Sequence, residues 1–303
     1  MPTDVTVVVG NYQGEQLLVD CLGSLRSQSR PPVETIVVDA SSSDRSVRVA
    51  EELGARVLVR ENHGLGFLYN EGSRAARTPY VMLVNNDVAL DACCLELLGA
   101  ELDRSDARFA ADPRQMDWSG THLVHARATL SRGPLLRQPL PGFRLDLTVP
   151  ADAVVPTVSA NGGAMLVRRD MMLRLGGFDE TMFMDFEDID LCWRAWLRGW
   201  ESVYVPDAWV RHRVGAVTTP GPVMKRRLVS SHHNLIRFAL KCFPARDAAR
   251  VVGGELLRLP RHPRLIGPAL GQIVREVPEI LRERRAARPD GVFSDWVLRG
   301  MPI

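Results

Sequence analysis

The chain has 303 residues, 46% of them hydrophobic and 24% charged, which is ordinary for a globular protein. No uncharged apolar run approaches the roughly 20 residues of a membrane span, so we expect any membrane contact to be peripheral. The formal net charge is +2, but residues 1–220 carry 22 Arg and Lys against 29 Asp and Glu, whereas residues 221–303 carry 16 against 7. The basic C-terminal third predicts an anionic partner, such as phosphates, nucleic acid or membrane headgroups.

The first hundred residues alternate strands and helices. Apolar runs predict strands at residues 5–9, 35–38, 56–59 and 80–84, and helical spacing predicts helices at residues 14–28, 44–53 and 66–77. This alternation predicts a parallel, doubly wound sheet. Ligands of such sheets bind beyond the carboxyl ends of the strands, where Asp39 and Asp87 lie.

The remainder of the chain is less regular. Residues 104–150 are rich in Arg, Pro and Gly and predict a long loop with short strands. Strands are expected at residues 154–158, 164–167 and 202–205, the last of them closed by Pro206. Helices are expected at residues 187–198, 223–243, 245–259 and 265–285. The five cysteines form no CxxC pair, and the N-terminus has no basic region before its short apolar run. These features predict reduced thiols in a cytosolic compartment and no signal peptide.

Polar residues follow the buried strands. Asp39 could accept hydrogen bonds from a nucleotide base or ribose, or it could cap its own Ser-rich turn. Asp87, at the end of an Asn-Asn-Asp run, offers oxygen ligands for Mg²⁺ or Mn²⁺, or simply forms a turn. The loop around Gly66 and Asn70 could approach a phosphate, or be an ordinary loop.

A segment rich in acids and aromatics, residues 176–200, contains the pair Glu187 and Asp188 at the predicted start of a helix. The helix N-terminus would stabilise these carboxylates as anions, whereas the aromatic neighbours would desolvate them. A general base that deprotonates a hydroxyl needs this intermediate environment, although acids are also common at helix starts. His212 follows a strand; most single histidines are not metal ligands, but an imidazole near a carboxylate-bound Mn²⁺ would be one.

In this order, the motifs resemble those of the inverting family 2 glycosyltransferases, especially their rhamnosyltransferase-like branch. The resemblance rests on NYQG at residues 11–14, VVDASSSD at 37–44, GLGFLYNEG at 64–72, LVNND at 83–87 and the GGFDE and EDIDLCWR motifs within 176–200. It implies a GT-A fold, a nucleotide-diphosphate sugar donor and a divalent metal, Mg²⁺ or Mn²⁺. It also implies Asp188 as general base, Glu187 as its catalytic neighbour, and Asp87 and His212 as metal ligands. The nucleotide-sugar-binding residues would be Asn11, Asp39, Gly66, Asn70, Asn86, Asp87 and Gly163.

The resemblance also predicts how the chain is organised. Residues 1–220 would form the catalytic domain, with a nucleotide-binding half (1–103) and an acceptor half (104–220), and residues 221–303 a basic helical C-terminal extension. That extension could rest on an anionic membrane at the inner face of the cell, or pack on the catalytic domain and expose a charged face. The oligomeric state stays open.

The expected activity is inverting transfer of rhamnose or a hexose from dTDP-rhamnose or a UDP-sugar. The acceptor would be a glycan, polyprenyl-linked or small-molecule hydroxyl, and nucleic acid is not expected as a partner. One alternative is a nucleotide-sugar-binding protein or a scaffold protein that has lost catalysis, against which the Glu187 and Asp188 pair counts. Another is a sugar nucleotidyltransferase, which normally has a basic residue in the loop after the first strand. The NYQG loop has none.

Overall fold

A computed structural model describes residues 4–131, 142–215 and 222–287. The strands are β1 (Val5–Asn11), β2 (Glu34–Asp39), β3 (Arg56–Val59), β4 (Tyr80–Asn85), β5 (Val88–Leu90), β6 (Arg108–Asp117), β7 (Leu123–His125), β8 (Arg127–Ser131), β9 (Gly142–Asp146), β10 (Val155–Thr157), β11 (Ala164–Arg168) and β12 (Glu201–His212). The helices are α1 (Leu17–Arg26), α2 (Ser46–Glu52), α3 (Leu65–Ala75), α4 (Cys94–Asp103), α5 (Arg169–Arg174), α6 (Glu187–Trp196), α7 (Pro222–Cys242), α8 (Ala245–Arg258) and α9 (Pro263–Ala287).

The main sheet has the strand order β10-β12-β6-β11-β4-β1-β2-β3, with β5 paired to β12 and β7 to β6. Strands β1 to β4 are parallel, as the sequence predicts, whereas β11 lies antiparallel between β4 and β6. The expected α/β fold with a helical C-terminal extension is confirmed.

Both faces of the sheet are covered. Along β1, Val7 and Val9 pack into one apolar cluster with α1 and α4, and Val8 packs into another with α3 on the opposite face. The continuous apolar run of β1 therefore reflects burial on both sides. A third cluster joins Trp193 of α6 to Phe238 of α7, so the C-terminal helices share a core with the rest of the chain.

Two sequence expectations were wrong. Strand β6 is a ten-residue strand inside the sheet, where a long loop with only short strands was expected. Its apolar run ends at Asp112, a buried carboxylate that pairs with His125 at 2.9 Å. Strand β12 does not end before Pro206 but continues to His212. A register shift between Val205 and Trp209 accommodates the proline, because a bulge does not require its missing N–H group.

The parallel register aligns the polar ends of three strands. Asn11 lies opposite Asp39, and Gly10 lies opposite Asn85, so these ends form one edge of the sheet. In the described ranges, no helix combines the length and apolar character that a membrane crossing requires.

Candidate active site

A chain of amide and carboxylate groups lies along this sheet edge. The Asn86 side chain donates to Asn11 Oδ1 (2.6 Å), and Asn11 Nδ2 donates to Asp39 Oδ2 (2.6 Å). Asp39 is fully buried and also accepts from the Ser42 backbone N–H (2.7 Å) and hydroxyl (2.8 Å). Of the two roles that the sequence left open for Asp39, the turn-capping one is therefore present, and it orders the loop after β2.

Asp87 and His212 meet at the same edge. His212 Nε2 lies 3.3 Å from Asp87 Oδ1, a buried atom that accepts no hydrogen bond. On the other side of the ring, His212 Nδ1 lies 2.8 Å from Gln115 Oε1, and Gln115 Nε2 donates to Asn161 Oδ1 at 3.0 Å. Because Gln115 presents its oxygen to the ring, Nδ1 carries the proton. In the neutral form of this tautomer, His212 presents the lone pair of Nε2 to Asp87.

This pair of groups fits a divalent cation. With the ring neutral, both facing atoms are acceptors and no proton lies between them, and imidazole nitrogen and carboxylate oxygen are both ligands for Mn²⁺. The described residues contain no group of three or more His, Cys, Asp or Glu that could hold a metal alone, so further ligands would come from water or phosphate oxygens. Gly163 leaves room for the imidazole, because a Cβ there would lie 3.0 Å from His212 Cε1.

The acid pair at the start of α6 is asymmetric. Asp188 accepts backbone N–H groups from Gly162 (2.8 Å) and Ile189 (2.7 Å). Burial raises the pKa of Asp188, but these two donors favour its anionic form. Glu187 is buried with Oε2 unpartnered, and burial together with the Asp188 charge raises the pKa of Glu187 to about 8. Asp188 is thus the acid of the pair whose anionic form has hydrogen-bond donors, and Glu187 is the acid that stays protonated near neutral pH.

Tyr69 connects the two halves of the site. Its hydroxyl lies 2.8 Å from Asn85 Oδ1 and 2.9 Å from the Gly162 carbonyl. Burial and the negative charges of Asp87, Glu187 and Asp188 raise the pKa of Tyr69 well above its ordinary value. Tyr69 therefore joins the strand end at Asn85 to Gly162, whose N–H group contacts Asp188.

Helix α7 holds the segment that leads into the acid pair. Asp185 and Phe186 both have left-handed backbones, with φ of 70° and 72°. The Asp185 carboxylate accepts from Arg227 (2.8 Å) and Ser231 (2.5 Å), and Asn234 donates to the Asp185 carbonyl (2.7 Å). These contacts stabilise a backbone conformation that is costly for residues other than glycine.

Two of the expected nucleotide-sugar-binding residues, Asn70 and Gly66, contact Phe178 in the loop before α6. The Asn70 amide accepts from the Phe178 N–H (2.8 Å) and donates to the Phe178 carbonyl (2.9 Å) and to Glu180 (2.9 Å). Gly66 packs against the same residue, since a Cβ there would lie 2.9 Å from Phe178 Cβ. Both residues shape the loop before α6 in this structure.

Sequence reasoning missed Tyr69, Asn161 and Gln115. Tyr69 lies within a helical apolar pattern, where an aromatic residue usually indicates core packing. Asn161 and Gln115 lie in segments with few motifs, and they meet only because β6 and the turn before β11 are neighbours in space. The one usable signal was Asp112, an acid that directly follows the apolar run of residues 109–111, which indicates a buried polar network nearby.

The family profile described as "Glycosyltransferase like family 2" matches residues 2–228. N-acetylglucosaminyl-diphospho-decaprenol L-rhamnosyltransferase of Mycobacterium tuberculosis is 30% identical over 257 residues, which cover 76% of this chain and 82% of that protein. Putative glycosyltransferase EpsH of Bacillus subtilis is 33% identical over 117 residues, or 36% of this chain. The match spans only 34% of the length of EpsH.

A solved structure supports the fold. The mannosyltransferase PcManGT of Pyrobaculum calidifontis, in complex with GDP-Man and Mn²⁺, superposes with a TM-score of 0.54 at 17% sequence identity. The superposition covers 89% of this chain and 74% of that one. At this identity the likeness concerns the fold alone, and it confirms the GT-A architecture expected from the sequence motifs.

Proposed function

The chain belongs to glycosyltransferase family 2, and from that membership we propose that it transfers a sugar from a nucleotide-diphosphate sugar to an acceptor hydroxyl with inversion at the anomeric carbon. The observation that carries this proposal is the asymmetric pair of Glu187 and Asp188, linked through Tyr69 to the edge that bears Asp87 and His212. A single displacement needs a base for the acceptor and a charged clamp for the leaving group, and this arrangement offers both.

Asp188 is the proposed general base. Its two backbone N–H donors orient the carboxylate and favour its anionic form against the effect of burial, and that anion can accept the proton of an acceptor hydroxyl. Glu187, held protonated by burial, can donate a hydrogen bond to a sugar or acceptor oxygen without repelling it.

Asp87 and His212 would hold a divalent metal at the donor end, with Asn11, Asp39, Asn86 and Gly163 shaping the nucleotide side of the edge. The metal would supply positive charge that stabilises the departing diphosphate. The unpartnered Asp87 Oδ1, facing His212 Nε2, supports this assignment, as does the Mn²⁺ in the mannosyltransferase complex.

We further propose rhamnose or a hexose as the transferred sugar, carried by dTDP or UDP, and a lipid-linked acceptor. The name of the mycobacterial relative, a rhamnosyltransferase for N-acetylglucosaminyl-diphospho-decaprenol, favours rhamnose and a polyprenyl-linked acceptor. Such an acceptor would place the reaction at the cytoplasmic face of a membrane, in the assembly of surface glycans.

The test uses the variant Asp188→Asn and a panel of dTDP- and UDP-sugars with a polyprenyl-diphosphate acceptor. Without its base the variant should lose transfer by at least about 100-fold, while Mn²⁺-dependent binding of UDP or dTDP, measured by calorimetry, remains. Near-normal turnover would contradict the assignment. Asp87→Ala should instead weaken nucleotide binding and abolish the dependence of nucleotide affinity on Mn²⁺. If no nucleotide binds the unmodified protein, the scaffold alternative is favoured instead.

A further inference from the structure

The outward side of α9 combines exposed aliphatic residues with arginines. Val274, Val277 and Leu281 are 72%, 39% and 50% exposed, and their spacing of three and four residues places them on one side of the helix. Arg275, Arg282 and Arg285 are exposed beside them. We call this surface, formed by Val274, Arg275, Val277, Leu281, Arg282 and Arg285, the α9 outer face.

The acids of α9 point the other way. Glu276, Glu279 and Glu283 are the helix's only acids, and each contacts the guanidinium of Arg237 in α7, at 3.1, 3.4 and 2.8 Å. The Arg237 side chain is fully buried, so the acidic side of α9 is its packing side. Helix packing thus separates the charges and leaves an outer face without acids.

The arginines of the α9 outer face have no carboxylate partner within the described ranges. Arg275 donates only to the backbone carbonyl of Gly271, at 3.0 Å. Their charge is therefore available to a partner, and removing the aliphatic side chains between them from water would be favourable.

We propose that the α9 outer face docks on an anionic lipid bilayer, with the helix lying along the surface and Val274, Val277 and Leu281 entering the headgroup region. A helix with arginines flanking an aliphatic stripe, and no acid on that side, has the chemistry of interfacial helices. Charge complementarity extends to the whole molecule. Residues 1–220 carry more acids than bases, so an anionic surface attracts the C-terminal helices and repels the rest.

The docking test requires neither donor nor acceptor, so its result is separate from that of the proposed activity. The full chain is sedimented with phosphatidylcholine vesicles that contain or lack phosphatidylglycerol. Binding is expected only with phosphatidylglycerol, and it should fall steeply as NaCl is raised. Arg275→Glu/Arg282→Glu should reduce binding by at least about tenfold. Val274→Ser/Leu281→Ser should also reduce it, although the net charge is unchanged.

The matched control is Arg77→Glu/Arg144→Glu, which makes the same charge change at two exposed arginines outside the C-terminal helices. It should bind as the unmodified chain does, and circular dichroism should show all variants folded. Three results would overturn the proposal: no binding by the unmodified chain, an equal loss in the control, or undiminished binding by Arg275→Glu/Arg282→Glu. The last would place the lipid contact outside α9.

Discussion

Folding changes the ionisation of Glu187. It is buried beside Asp188, and its pKa is raised to about 8, whereas in the unfolded chain it would titrate in the ordinary range near 4.5. Between these two values the folded state binds a proton that the unfolded state has lost. The stability associated with Glu187 is therefore present below the unfolded pKa and lost as the pH rises through about 8.

We expect Glu187→Gln to remove this dependence. The neutral amide has no charge to desolvate, so above pH 8 the variant should be more stable than the unmodified protein by a few kcal/mol, whereas near pH 4 the two should agree. Urea unfolding between pH 4 and pH 9 would measure this difference. A constant offset across that range would instead indicate lost packing and contradict the proposed ionisation.

Gln115 is expected to set the tautomer of His212. Its oxygen accepts the Nδ1 proton, and Asn161 fixes the amide in that orientation. Gln115→Leu removes the acceptor, so the proton can move to Nε2 and block the atom that faces Asp87. Nucleotide affinity in the presence of Mn²⁺ should then fall by about tenfold or more, with little change in its absence. Calorimetric titration with UDP and dTDP would test this. Gln272→Leu, at an exposed position of α9, is the matched control and should leave nucleotide affinity unchanged.

At the scale of elements, α7 does more than pack against the rest of the chain, because its side chains hold the backbone of the residues that lead into α6. The left-handed residues 185 and 186 are held by side chains of α7 that lie at and beyond the end of the family match at residue 228. Asn234 is fully buried and donates to both the Met184 and Asp185 carbonyls. The geometry of the acid pair therefore depends on a helix that the family motifs do not include.

Asn234→Ala should expose that dependence. It leaves two buried carbonyls without their donor, which costs about 2–4 kcal/mol in the free energy of unfolding. Because the loop before α6 loosens, turnover should fall further than the loss of folded protein explains, while Mn²⁺-dependent nucleotide binding is retained. Urea unfolding and kinetics at a temperature where the variant is fully folded would separate the two effects. Leu228→Ala, at an exposed position of the same helix, should change neither quantity; full activity in folded Asn234→Ala would contradict the positioning role.

Most elements were predictable because each buried strand or helix face has a recognisable pattern of apolar residues. Strand β3 was predicted at its observed bounds, and β1, β2 and β4 within two residues at each end, since each is a run of β-branched or aliphatic residues. Strand β6 could not be predicted, because the burial of its Asp112 depends on partners from other parts of the chain, the His125 ring and the Asn161 backbone N–H group. The predicted length of strand β12 was too short because a proline usually ends a strand, and no local sequence pattern indicated the bulge.

For the whole molecule, the sequence motifs located the acid pair and the strand ends, which are short segments with distinctive residues. They could not show that Tyr69 joins the two, or that Asn161 supports His212. The residues in these contacts lie 93 and 46 positions apart in the sequence and meet only when the elements between them have folded. The acids of residues 176–200 also divided in a way that composition could not reveal. Asp179 and Asp190 are buried in ion pairs with α7, whereas Glu187 and Asp188 face the site.

Those ion pairs join α7 to α6 and to the loop that precedes it. Lys241 of α7 lies 2.5 Å from Asp179 and 2.8 Å from Asp190, while Arg237 also contacts Asp179 and Arg194 contacts Asp190. Although burial opposes the ionisation of Asp179, the charges of Lys241 and Arg237 hold its pKa well below its usual range. Charges this deeply buried are tolerated only while every partner is present.

Lys241→Met should therefore be among the most damaging substitutions outside the site. It keeps the length of the side chain but removes a cation shared by two buried carboxylates, at a cost of about 3–5 kcal/mol near neutral pH. The pKa of Asp179 should rise toward its ordinary value, so protonation relieves the variant in acid, and its stability deficit should narrow below about pH 4. Urea unfolding at neutral and acidic pH would measure both effects. The chain's only other lysine, Lys225, is exposed on the same helix, so Lys225→Met is the matched control and should change stability by less than about 0.5 kcal/mol. A Lys241→Met deficit that stays constant with pH would show that its carboxylate partners are not the source of the loss.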